Sequence, residues 1–189
     1  MKKIAIFASG NGSNAENIIK YFQSSEQIKV ISVASNNPSA QVLLRSKKHS
    51  IDTFVFNKNE LNNGIVLKKL KKLEVDFIVL AGFLIKIPLN MITTYKNKII
   101  NIHPSLLPLH GGKGMFGINV HKKVFESKDT ETGITIHFVN QSYDKGAVIF
   151  QAKCGLRPNT PPKQIQKKVH KLELKFFPII IENLLNEPN

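Results

Sequence analysis

The chain has 189 residues, 42% hydrophobic and 21% charged, the proportions of one soluble globular domain large enough to bury a core. Its single cysteine, Cys154, excludes an intramolecular disulfide and fits a reducing compartment, and no apolar run reaches the length of a membrane span. The net charge of +14 raises nucleic acid as a partner. However, the lysines are dispersed, and the densest group, Lys68-Lys69-Leu70-Lys71-Lys72, reads as the solvated face of a helix. An anionic small substrate would gain from the same field. The apolar stretch after Lys2-Lys3 is too short for a signal peptide, so the expected location is the cytoplasm.

Hydrophobic periodicity and turn residues predict a regular alternation in the first half. A buried strand over Lys3 to Ala8 leads into a glycine loop, Ser9 to Ser13. A helix follows over Asn14 to Phe22, with Ser13 or Asn14 as its N-cap. Then come a strand over Ile28 to Ser35, a helix over Ala40 to Lys48 and a strand over Asp52 to Phe56. One helix within Glu60 to Leu73, a strand over Asp76 to Ala81, a short helix over Pro88 to Thr94 and a strand ending at Ile102 complete the half. Strand–helix alternation implies right-handed crossovers and a mostly parallel, doubly wound α/β sheet.

After Pro108 the pattern changes. Leu109 to Gly117 holds four glycines and reads as a mobile loop. A helix is expected over Val120 to Glu126, and strands over Gly133 to Val139 and Gly146 to Ala152 pair as an antiparallel extension. Pro161-Pro162 opens a long final helix running to Asn186, with a bend expected at Pro178. The expected organisation is a single domain over 1–189: a phosphate-binding α/β half over 1–100, and a catalytic half over 101–189.

Two stretches carry chemistry. In Asn101-Ile102-His103-Pro104 the first and third side chains leave the strand on the same side, just before proline ends regular pairing. An amide beside a titratable imidazole can hold a carbonyl oxygen and move a proton, although a polar pair entering a loop has the same spacing. Gly10-Asn11-Gly12-Ser13-Asn14 sits between strand and helix, where backbone N–H groups and the helix dipole favour an anion. Ala15 breaks a G-x-G-x-x-G pattern and no Gly-Lys-Ser/Thr ending makes a P-loop, so the loop suits a single phosphate, or simply a tight turn.

Three segments taken together extend these readings: Ser9-Gly10-Asn11-Gly12-Ser13-Asn14; Leu80-Ala81-Gly82-Phe83 ahead of Asn101-Ile102-His103-Pro104-Ser105-Leu106-Leu107-Pro108; and Tyr143-Asp144-Lys145-Gly146. In this order they closely resemble the phosphoribosylglycinamide formyltransferases, folate-dependent enzymes of purine biosynthesis, over nearly the whole chain. The resemblance implies a Rossmann-like formyltransferase fold. It also implies transfer of a formyl group from the co-substrate 10-formyltetrahydrofolate to the amine of glycinamide ribonucleotide, without a metal. Asn101 and a protonated His103 would stabilise the tetrahedral oxyanion, with Asp144 as the anion that tunes His103.

The resemblance also distributes the binding residues. Gly12, Ser13 and Asn14 would hold the ribonucleotide phosphate, and Glu173, within His170-Lys171-Leu172-Glu173, its ribose. Leu84, Ile85, Lys86 and Ile87 would hold folate together with Asn101 and the loop Asn140, Gln141, Ser142, Tyr143 and Asp144, with Lys58 near its tail. Thr135 and His137 share a strand face and would stand behind the catalytic pair. Small molecules are the expected partners, with no nucleic acid or membrane, and the expected state is a monomer or weak homodimer. The chain departs from the family's pattern after Pro108, where Leu109-His110-Gly111-Gly112-Lys113-Gly114-Met115-Phe116-Gly117 is longer and Asn119 stands in place of a histidine. Rival readings are another formyltransferase of the group, formyltetrahydrofolate hydrolase, and a basic nucleic-acid-binding module.

Overall fold

In the computed structural model, which describes residues 1–186, seven strands form one sheet in the order β3-β2-β1-β4-β5-β6-β7. The elements are β1 (Lys2–Phe7), α1 (Ser13–Phe22), β2 (Ile28–Ser35), α2 (Gln41–Lys48), β3 (Asp52–Val55), α3 (Lys58–Asn62) and α4 (Ile65–Lys72). They continue with β4 (Phe77–Leu80), α5 (Leu89–Thr94), β5 (Ile99–His103), α6 (Ile118–Glu126), β6 (Glu131–Phe138), β7 (Val148–Gly155) and α7 (Pro162–Asn186). The first five strands are parallel, β6 runs antiparallel to β5, and β7 antiparallel to β6, as the sequence predicts.

The continuous apolar run of β1 has its reason in this layering. Ile4 and Ile6 face one side and pack with Ile18 of α1, Val42 of α2, Val124 of α6 and Phe177 of α7. Ala5 and Phe7 face the other side and pack with Leu61 of α3, Leu70 of α4 and Met91 of α5. A strand covered on both faces has no polar side to show. The chain leaves β1 for β2 on one flank and later returns to β4 on the other, so the winding reverses between β1 and β4. Open α/β sheets bind ligands at the carboxyl ends of the strands at such a point.

Several predicted boundaries shift. The single helix expected within Glu60 to Leu73 is two, because Gly64, at φ 81°, breaks the run after α3. Asn57 and Glu60 close a reciprocal capping box at the start of α3. Helix α1 starts at Ser13, capped by Gly12 at φ 78°, rather than by a Ser13 or Asn14 side chain. Strand β5 runs one residue further, so His103 is its last member.

Helix α7 continues unbroken past Pro178. Proline has no N–H for the carbonyl four residues earlier, that of Leu174. Asn17 of α1 fills the gap, donating its Nδ2 to Leu174 O at 2.8 Å. One side chain thus satisfies a helix defect and ties α1 to α7. Asn17→Ala should cost about 1–2 kcal/mol in urea denaturation. Pro178→Ala should cost less in the Asn17→Ala background than in the wild type, since alanine restores an N–H; simple additivity of the two would contradict this account.

Candidate active site

The glycine loop is shaped from behind by α2. A β-carbon on Gly12 would collide with Val42, so only glycine allows this approach, and Val42 N donates to Gly10 O at 3.1 Å. Arg45 Nη2 donates to Asn11 Oδ1 at 3.0 Å, while Arg45 Nη1 pairs with Glu16 on α1. Arg45 first, then His49, holds the Glu16 carboxyl below its ordinary range. The first-turn N–H groups of α1 have no carbonyl within the helix, and with the helix dipole they form an anion-binding end.

Against that turn packs α7. Asn14 Nδ2 donates to Glu173 Oε2 at 3.0 Å, and His170 Nδ1 meets the same oxygen at 2.8 Å. Glu173 raises the His170 pKa against the opposing effect of burial. Asn14 lines the cleft, with its Oδ1 buried and without a hydrogen-bond partner.

The centre of the site follows from the register of β5 on β6, which sets Asn101 opposite His137 and His103 opposite Thr135. His137 Nδ1 lies 2.9 Å from Phe138 O and so must carry its proton. In the neutral ring Nε2 then accepts from Asn101 Nδ2 at 3.1 Å. That leaves the second amide hydrogen of Asn101 for a ligand. His103 Nε2 lies 2.9 Å from His110 O and likewise carries a proton, while Nδ1 is 3.5 Å from Asp144 Oδ2.

Asp144 takes a left-handed φ of 54° in the loop between β6 and β7, and its Oδ2 accepts Gly112 N at 2.8 Å. Gly146 keeps this loop close, because any β-carbon there would run into Phe138 O. Burial pushes the Asp144 carboxyl up, but His137, His103 and the Gly112 N–H together hold it below the ordinary value. For His103, 3% exposed, burial dominates and lowers the pKa, against Asp144 and the His110 carbonyl. That direction runs against the raised pKa on which the expectation of a protonated His103 depends.

These groups share one cleft of about 770 Å³. One wall is Leu84 to Ile87 after β4, anchored where Ser9 Oγ accepts Leu84 N at 3.0 Å and donates to Asn36 Oδ1 at 2.6 Å. The facing wall is the 140–144 loop, folded on itself by Asn140, which accepts from Ser142 N and donates to Lys145 O. At the mouth, Lys86 Nζ lies 6.0 Å from the Tyr143 ring centroid.

Most of the predicted residues line this cleft: Gly12, Ser13, Asn14, Leu84, Ile85, Lys86, Ile87, Asn101, His103, His137, Asn140, Ser142, Tyr143, Asp144, His170 and Glu173. Others do not. Lys58 is the exposed first residue of α3, and Gln141 is exposed on its loop outside the lining. On α7 the i,i+3 spacing keeps His170 and Glu173 on the cleft side, while Leu172 packs on the core and Lys171 turns outward. Thr135 is buried beneath the 105–107 turn, donating to Ser105 O at 2.7 Å and accepting from Leu107 N at 2.9 Å. The Leu107-Pro108 bond in that turn is cis.

Sequence reasoning left His121 without a role. It lies on the apolar face of α6 with Val120 and Val124, and it lines the cleft with Nδ1 unpartnered. In the sequence it stands two residues after Asn119, at the end of the stretch that departs from the family's pattern, and that position assigns it no role. Burial lowers its pKa to about 4. An unfolded histidine titrates near ~6.5, so between these values the unfolded state binds the extra proton and stability falls as pH falls. Stability should therefore drop from pH 7.5 to pH 4.5, and His121→Gln should remove roughly 2–3 kcal/mol of that drop in urea titrations.

Fold and cleft together define a doubly wound α/β protein with an anion-binding helix end and an Asn–His–Asp centre facing each other across the strand ends. A family model described as formyl transferase matches residues 2–181, and the chain belongs to that family. It is 35% identical to the chloroplastic phosphoribosylglycinamide formyltransferase of Arabidopsis thaliana, over 98% of this chain and 66% of that one. With the phosphoribosylglycinamide formyltransferase of Haemophilus influenzae it shares 34% identity, over 96% of this chain and 86% of that one. The crystal structure of the phosphoribosylglycinamide formyltransferase from Anaplasma phagocytophilum superposes with a TM-score of 0.90 at 29% identity, covering 98% of this chain and 87% of that one.

Proposed function

We propose that this protein transfers the formyl group of 10-formyltetrahydrofolate to the primary amine of glycinamide ribonucleotide, in the cytoplasm and on small molecules rather than nucleic acid. The observation that carries this reading is that the anion-binding end of α1 and the Asn101–His103–Asp144 group open into the same cleft. A phosphate on Gly12, Ser13 and Asn14 leaves the rest of a ribonucleotide lying along α7, where the Glu173 carboxylate can take hydroxyl donors. The apolar wall 84–87 and the 140–144 loop suit a flat heterocycle that needs one greasy face and backbone hydrogen bonds.

In this reading the amine nitrogen attacks the formyl carbon, and the free hydrogen of Asn101 Nδ2 donates to the developing oxyanion. His103 enters neutral, so its Nδ1 accepts the proton that the attacking amine must lose. Asp144 beside it stabilises the imidazolium that forms. As the bond from carbon to the folate nitrogen breaks, His103 returns the proton to that nitrogen, leaving tetrahydrofolate and the formylated amine. The low pKa thus serves proton acceptance first and donation second.

Formyl transfer from 10-formyltetrahydrofolate to glycinamide ribonucleotide should be detectable with the purified protein, and His103→Ala and Asp144→Asn should each reduce kcat by ~10²-fold or more. Formate release with no amine acceptor, and no transfer, would replace this reading with a hydrolase. The neutral-His103 mechanism makes a further expectation. The acid limb of kcat/KM should lie below the ordinary histidine value of ~6.5, since protonation silences the base. Residual activity of Asp144→Asn should show that limb moved to still lower pH, because the carboxylate that favours the cation is gone. A limb moved upward would exclude His103 as the base.

A further inference from the structure

The nitrogen of His103 that faces away from Asp144 is held by a main-chain carbonyl, that of His110, in the stretch where this chain departs from its family's pattern. His110 takes φ 54°, a region that residues with a β-carbon avoid, so its carbonyl points where it does only because the neighbourhood holds it there. The holding groups are few. Ser105 Oγ donates to Leu109 O at 2.6 Å, and the His110 ring itself is pinned by a hydrogen bond, Nε2 to Asp129 Oδ2 at 2.6 Å. Asp129 follows α6 and lies outside the catalytic cleft, in a separate small hollow with Leu106, Leu109 and Lys128. Two residues beyond His110, Gly112 N donates to Asp144 Oδ2, so one short segment touches both members of the His103–Asp144 pair through its backbone.

We propose that Asp129 is a positioning residue for His103: its hydrogen bond with the His110 ring aims the His110 carbonyl at Nε2, which fixes the proton there and leaves Nδ1 as the nitrogen open to reacting groups and to Asp144. The inference rests on the formyl-transfer reading for its catalytic meaning, but its structural core, the tautomer of His103, does not. A neutral imidazole has two nearly equivalent places for its proton, and a fixed acceptor beside one of them decides between the two. A ring free to hold the proton at Nδ1 would turn a donor toward the carboxylate and lose the base.

The test is the 15N spectrum of His103 in ligand-free protein labelled at histidine, read beside steady-state kinetics. The wild type should show a single Nε2–H tautomer. Asp129→Ala should populate both tautomers and lower kcat by about tenfold, while KM for either substrate moves less than about twofold. Asp129→Asn, which keeps an acceptor for the His110 ring, should retain the wild-type tautomer and lose less activity. His110→Ala should reproduce Asp129→Ala, and the double variant should add no further loss. Should Asp129→Ala fail to fold by circular dichroism, His110→Ala carries the same reading, because it removes the brace while leaving the carbonyl in the chain. Folded variants that keep the Nε2–H tautomer and wild-type kcat would overturn the proposal. A wild type that transfers no formyl group, with the tautomer shifting as expected, would retain the brace and discard the reaction.

Discussion

The antiparallel register of β5 against β6 is the constraint on which the site depends. Because side chains alternate along a strand, pairing Asn101 with His137 and His103 with Thr135 puts all four on the same side of the sheet. A slip of one residue would turn both Asn101 and His103 to the opposite face. The partners secure what the register sets up. His137 consumes one amide hydrogen of Asn101 and so orients the other, while Thr135 accepts and donates within the 105–107 turn and holds the chain as it leaves the strand. Gln151 on β7 adds donors to Leu107 O and Thr135 Oγ1, extending the support to the edge of the sheet.

The same economy governs charge. A chain with net +14 orients its buried imidazoles by geometry. His103 and His137 each present a ring N–H to a main-chain carbonyl, which settles their tautomers, and His121 is kept neutral by burial. A single carboxylate, Asp144, stands among the first two rings and accepts a backbone N–H. A proton arriving at this cluster has one stabilised place to go, beside Asp144. The lysines stay at the rim, where Lys86, Lys113 and Lys167 border the cleft and add a field that attracts anions.

The anion end of α1 is held by contacts that span long stretches of sequence. Gly12 fits against Val42, Asn11 is held by Arg45, and Ser9 bridges Asn36 to the backbone of Leu84. These ties make the carboxyl ends of β1, β2 and β4 one rigid rim. Substrate contacts made on that rim act on groups already in place, which limits the ordering entropy lost on binding.

The order and type of nearly every element, the reversal of winding and the antiparallel end were legible in the sequence, because alternating and 3.6-residue hydrophobic patterns are local properties. So were Asn101 and His103, whose i,i+2 spacing on a strand needs no partner to interpret, and the glycine loop, whose place between strand and helix is itself the signal. Asp144 and Glu173 became candidates only through resemblance, since alone they read as a turn residue and a helix carboxylate. Only the tertiary structure decided the rest. It sent Lys58, Gln141, Lys171 and Leu172 away from the cleft, brought His121 in, and placed Asp129 against the His110 ring. It also set the surroundings that shift the His103 pKa, burial lowering it and Asp144 raising it, because a pKa depends on how much water and which charges surround a ring, and these are sums over groups distant in the chain.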